Sequence, residues 1–132
     1  MAKNIQKKKI LMRFVMDGCH FCTETQQDWD SMCSTVKNRF KITPDNVISQ
    51  IDSSFANELI ATHRITDTNN SPYTVSGFPD YVVVVNGVAI PHEKRDTNSL
   101  MNTLISNRMI VSNPKSKRKQ KKKKQKRSKK LT

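Results

Sequence analysis

The chain has 132 residues, 35% of them apolar, and a formal net charge of +13 at pH 7, a length that suits one hydrophobic core and is cramped for two domains. Twelve of the 16 residues from Lys115 to Lys130 are Lys or Arg and none is acidic; the rest of the chain holds 12 basic and 11 acidic residues, so its body is nearly neutral. No run approaches the ~18 apolar residues of a membrane span, and the run Ile10 to Met16 is short, contains Arg13 and lacks the cleavage site of a secretory signal.

Residues 1–9 are polar, with Lys3, Lys7, Lys8 and Lys9, and read as a solvated lead-in to a domain over residues 10–111. Ile10 to Met16 reads as a strand covered on both faces, broken by Asp17-Gly18. From Cys19 to Phe40 the residues Cys22, Trp29, Met32, Cys33, Val36 and Phe40 recur at helical spacing, which predicts an amphipathic helix starting at the cysteine pair. Val47 to Ile51 is a second short strand, and Ser53-Ser54 can cap a helix with Phe55, Leu59, Ile60 and His63 on one face. Thr66 to Ser76 is a polar loop, long for a compact domain, and loops of that length often carry function. Tyr81 to Val85 is the strongest strand in the chain, and Asn86-Gly87 turns it into an antiparallel partner, Val88-Ala89-Ile90. A last helix begins at Asp96 or Thr97, turns Leu100, Met101, Leu104 and Ile105 inward, and ends before Pro114. Residues 112–132 form a low-complexity basic tail whose composition predicts disorder.

Two cysteines two residues apart, where a strand feeds a helix, are the chemical signal in this chain. The first, Cys19, falls over the unpaired amides of the helix's first turn, where the helix dipole favours a thiolate over a thiol of ordinary pKa ~8.5. Cys19 is thus the candidate nucleophile, and Cys22, one turn further in, the candidate resolving thiol that would release a mixed disulfide. Protonated His20 could stabilise the neighbouring thiolate, or it is an exposed side chain. The competing readings are a chance pair or metal ligation. A zinc site would have to recruit two further ligands from Cys33, His20 and His63, but a second close pair is missing and Cys33 follows the helix's core stripe. No metal and no cofactor are expected. With no export signal, three cysteines predict a reducing intracellular setting, cytosol or nucleus. The abundance of Lys, Asn and Ile is what an AT-rich genome gives, and for a viral source the virion is a further location.

The ordered combination of Cys19-His20-Phe21-Cys22, then Val75-Ser76-Gly77-Phe78-Pro79, then Asp80 to Val85 with Asn86-Gly87, resembles the thioredoxin superfamily over about Ile10 to Met109. The resemblance implies an α/β thioredoxin fold. Because only about nine residues precede the first strand, it implies the pared-down form: a reduced core of about four strands in a mixed sheet with three helices, plus the basic tail. It further implies that Pro79 is a cis-proline whose loop faces the cysteines and binds substrate backbone, with Phe78 offering a main-chain edge to the partner. Four positions depart from the family pattern: Gly18 replaces the usual Trp before the first cysteine, His20-Phe21 replaces Gly-His, and Arg13 stands where members often bury an Asp or Glu that takes a proton from the resolving thiol. Arg13 either lowers the thiol pKa values by its charge or is a surface residue without a role; another acceptor, Asp17 or water, would then serve the resolving thiol.

The tail residues Lys115, Lys117, Arg118, Lys119, Lys121, Lys122, Lys123, Lys124, Lys126, Arg127, Lys129 and Lys130 can neutralise phosphates without reading sequence, and they also resemble a nuclear-import signal. No aromatic is interleaved for base stacking. The chain is therefore expected to be a thiol–disulfide oxidoreductase acting on protein thiols and disulfides, with the tail contacting nucleic acid or another polyanion. The alternatives are a non-catalytic binding module tethered to nucleic acid by that tail and, more remotely, a zinc-binding adaptor.

Overall fold

The computed structural model describes residues 8–113. Four strands form a mixed sheet in the order β3-β1-β4-β5: β1 is Lys9–Val15, β3 Val47–Asp52, β4 Asp80–Val85 and β5 Val88–Pro91. β1 runs parallel to β3, and both β1 and β5 pair antiparallel to β4. Helices α1 (His20–Arg39), α2 (Ser53–Thr62) and α3 (Thr97–Ser106) cover the sheet. Alternation along the central strands divides the core into two layers. Leu11 of β1 with Tyr81 and Val83 of β4 meet Trp29, Met32 and Val36 of α1 and Leu100 and Leu104 of α3. Met12 and Phe14 with Val82 and Val84 face the other way, onto Ala56 and Ile60 of α2. The unbroken apolar run of β4 follows from burial on both faces. Its hairpin turn places Asn86 at φ +55° and Gly87 at φ +81°, the left-handed pair that matches strand twist.

Several expectations are corrected at the level of single residues. The cap of α2 is Asp52, whose carboxylate accepts from the Ser54 N–H, and Ser53-Ser54 already belong to the helix. α2 buries Ala56 and Ile60, while Phe55 is 62% exposed and lines an open groove beside the edge strand β3 with Leu59 and His63. On α3, Leu100 and Leu104 point inward and Ile105 is half exposed. α1 stops at Arg39, because Phe40 adopts an extended backbone and opens β2 (Phe40–Ile42). β2 pairs antiparallel with β6 (Ile110–Ser112), a second, two-stranded sheet that closes the end of the domain away from the cysteines. The basic residues from Lys115 to Lys130, and Lys3 and Lys7, lie outside the described residues.

The segment after α2 has no helix or strand of its own, yet backbone bonds tie it down. The Thr66 N–H donates to the Gly87 carbonyl and its own carbonyl accepts from Ala89, while the Tyr73 N–H donates to Ile65. Tyr73 stacks near Phe14, and its hydroxyl donates to the Asp80 carboxylate. Burial, then this contact with Asp80, pushes the Tyr73 hydroxyl pKa well above its ordinary value. The chain thus reaches β4 along a fixed path.

Candidate active site

Three elements meet at the C-terminal end of β1. β1 delivers Asp17-Gly18, with Gly18 at φ +74°, a left-handed turn that costs glycine nothing and aims the next residue at the helix start. Cys19 is the N-cap of α1: its backbone is extended and its Sγ accepts the Cys22 N–H at 3.1 Å. A sulfur in that position receives one of the unpaired amides of the first turn and sits at the positive end of the helix dipole. Cys22 lies one turn on, buried to 6% exposure, and the two are joined as a disulfide with their Cα atoms 5.1 Å apart. Cys19 is partly exposed where Cys22 is not. Opposite stands the Phe78–Pro79 segment. Its peptide bond is cis, Pro79 is buried, and the Phe78 carbonyl oxygen lies 3.5 Å from the Cys19 Sγ.

Arg13 is not a surface residue. It is 0% exposed, on the same face of β1 as Leu11, directly under the first turn of α1. A buried guanidinium is costly unless its donors are satisfied, and here all five N–H groups are. Nε donates to the Tyr81 hydroxyl at 2.9 Å, Nη1 to the Gln26 and Gln50 side-chain carbonyls at 2.8 and 2.7 Å, and Nη2 to the Cys22 carbonyl and the Thr25 hydroxyl, both at 2.7 Å. The rings of Tyr81 and Trp29 flank it, centroids 5.5 and 6.0 Å from the guanidinium carbon. Every acceptor in this cage is neutral. Thr25, Gln26, Gln50 and Tyr81 carry no motif. The signal that leads to them is a charged residue within an apolar strand, whose alternation puts Arg13 beside Leu11 on a covered face.

His20 places its Nε2 2.9 Å from the Glu24 carboxylate, in a pair open to solvent. Phe21 is 58% exposed beside the cysteines. Cys33 is half-buried against the α1 side of the core, where burial and, next, the Asp30 charge raise its thiol pKa while Arg13 pulls it down. Among the described residues no three His, Cys, Asp or Glu side chains gather as a metal site would require, and no helix is long and apolar enough to cross a membrane.

No protein-family model matches the chain, and no curated protein matches it. Solved structures do. The zinc-bound form of human ERp44 aligns with a TM-score of 0.56 at 15% identity, over 79% of this chain and 27% of that one. The first thioredoxin domain of mouse protein disulfide-isomerase A4 gives 0.53 at 19% identity, over 74% of this chain and 61% of that one. The J-Trx1 fragment of ERdj5 gives 0.51 at 14% identity, over 80% and 45%. The chain spans less than two thirds of the length of each. At such identities the likeness is one of fold.

Proposed function

The chain has a thioredoxin fold, and from that premise we propose that it exchanges disulfides with protein substrates through Cys19 and Cys22. The observation that carries this reading is the placement of the two sulfurs: Cys19 partly exposed at the helix N-cap with an amide donated to its Sγ, Cys22 buried behind it and within bonding reach. In the reductive direction the Cys19 thiolate attacks a substrate disulfide, one substrate sulfur leaves, and Cys22 then attacks Cys19 Sγ to release the second as a thiol. In the oxidative direction the same bonds form and break in reverse. Phe78 and Pro79 bound the face opposite Cys19, and an extended substrate backbone entering there would meet the main-chain edge that ends in the Phe78 carbonyl. The basic segment from Lys115 to Lys130 supports contact with nucleic acid or another polyanion by its composition.

Replacing Cys22 with Ser tests the division of roles. A Cys22→Ser protein, reacted with partner proteins carrying a disulfide, accumulates mixed disulfides on Cys19 that a reductant releases. Capture on Cys33 instead, or no capture by a protein with Cys19 intact, contradicts the reading and leaves a non-catalytic binding module in its place.

A further inference from the structure

The cage around Arg13 bears on a question the exchange chemistry leaves open, its direction. Five neutral dipoles solvate the guanidinium, but none cancels its charge. Among the described residues Arg13 forms no ion pair with a carboxylate. Asp17, Glu24 and Asp30 are solvent-exposed, Glu24 is held by His20, and Asp30 reaches the cage only through the Gln26 amide, 2.9 Å from its oxygen. Asp52 and Asp80 are committed to Ser54 and Tyr73. Charges at a wet rim are screened, whereas a buried one is screened much less. A lasting positive charge therefore sits in the core with one N–H on the carbonyl of Cys22 itself.

That charge acts unequally on the two redox states. The Cys19–Cys22 disulfide is neutral and gains little from it. The reduced pair, once a thiolate forms at Cys19 or Cys22, is stabilised, and a pair whose reduced form is stabilised is the stronger oxidant. We infer that Arg13 biases this site towards donating its disulfide, so that the protein oxidises dithiols in client proteins. The inference rests on the exchange activity proposed above and adds its direction. In the step, a client thiolate attacks Cys19 Sγ, the Cys19–Cys22 bond breaks and Cys22, whose carbonyl accepts an Arg13 N–H, leaves as a thiolate. The second client thiolate attacks the client sulfur of the mixed disulfide and expels Cys19. The client loses two electrons and becomes a disulfide, the protein gains them as a dithiol, and each oxidised molecule donates one disulfide. Arg13 touches no substrate atom; it is a positioning residue acting through Cys22.

The test is equilibration of the full chain with glutathione redox buffers, read by thiol labelling of Cys19 and Cys22, beside the thiolate ultraviolet absorbance of the reduced protein at one neutral pH. The wild-type pair is expected to be reduced in buffers that leave an Arg13→Gln variant oxidised, the equilibrium constant moving at least about tenfold, which is ~30 mV for this two-electron couple. Arg13→Lys, which keeps the charge and loses the fork, stays near wild type in both readouts even with a lower melting temperature. Gln50→Glu, made at an exposed residue against Nη1, adds a neutralising carboxylate without emptying the core and moves the constant the same way as Arg13→Gln. Constants equal in wild type and Gln50→Glu, or an equal shift in Arg13→Lys and Arg13→Gln, overturn the role of Arg13. A wild-type pair that exchanges with glutathione but remains oxidised in reducing buffers overturns the direction. A pair that never exchanges in any of these proteins contradicts the proposed function itself.

Discussion

Arg13 shows how one residue can be legible by type and not by place. Its position within an apolar strand run is visible in the sequence, but the acceptors that make burial tolerable come from β3, α1 and β4, at separations of 9 to 68 residues, and no local pattern announces them. Cys19 and Cys22 are the opposite case: their spacing encodes their proximity, because i and i+3 share one turn of a helix. The cage also makes a stability prediction. Tyr81→Phe keeps the ring that packs on Trp29 but leaves the Arg13 Nε–H buried without a partner. We expect a loss of about 1–3 kcal/mol, measured by urea unfolding; an unchanged midpoint would mean that the hydroxyl does not serve the guanidinium.

At the scale of elements, the strands and helices that bury a stripe are readable from the chain, and those held by distant pairing are not. β1, α1, β4 and the hairpin into β5 follow from periodicity and from Asn86-Gly87. β2 and β6 have three residues each and come from chain positions about seventy apart, too short for periodicity to speak and joined only by tertiary pairing. The facing of α2 is legible only in part: Ile60 is buried as its spacing predicts, but Phe55, the bulkiest apolar residue of the segment, is left exposed while the small Ala56 packs on the sheet. The N-caps of α2 and α3 are both aspartates. The Ser54 hydroxyl and N–H hold the Asp52 carboxylate below its usual pKa, and Ser99 does the same to Asp96. A carboxylate with a folded pKa below its unfolded one contributes stability that is present above the unfolded value, about 4, and lost as pH falls through the folded one. Stability should therefore drop below about pH 4, and an Asp52→Asn, Asp96→Asn protein, which retains capping oxygens without the titration, should show a smaller drop. Thermal melts from pH 6 to pH 2 measure this; parallel curves for the two proteins would remove the caps from the account.

At the scale of the molecule, the sheet brings together segments that the sequence keeps apart: the end of β1, the start of α1 and the loop leading into β4. The order of these signals along the chain is legible; the meeting of the Phe78 carbonyl with the Cys19 sulfur is not, since it depends on how the segment after α2 is tied to the hairpin. The charge divides the molecule in another way, into a nearly neutral body and a basic end. The proposed contact of the basic end with nucleic acid predicts that the full chain is retained on duplex DNA in a salt-sensitive way and that removing residues 114–132 abolishes most of that retention, because the dependence on salt flattens as fewer phosphates are neutralised. Retention that survives the truncation would assign the binding to the body. Disulfide exchange through Cys19 is followed between the full chain and a model peptide, supplied as dithiol and as disulfide, in wild type, Cys19→Ser and Cys33→Ser. The predicted result is exchange in wild type and Cys33→Ser and a fall to the uncatalysed rate in Cys19→Ser; exchange that persists undiminished without the Cys19 sulfur would contradict it.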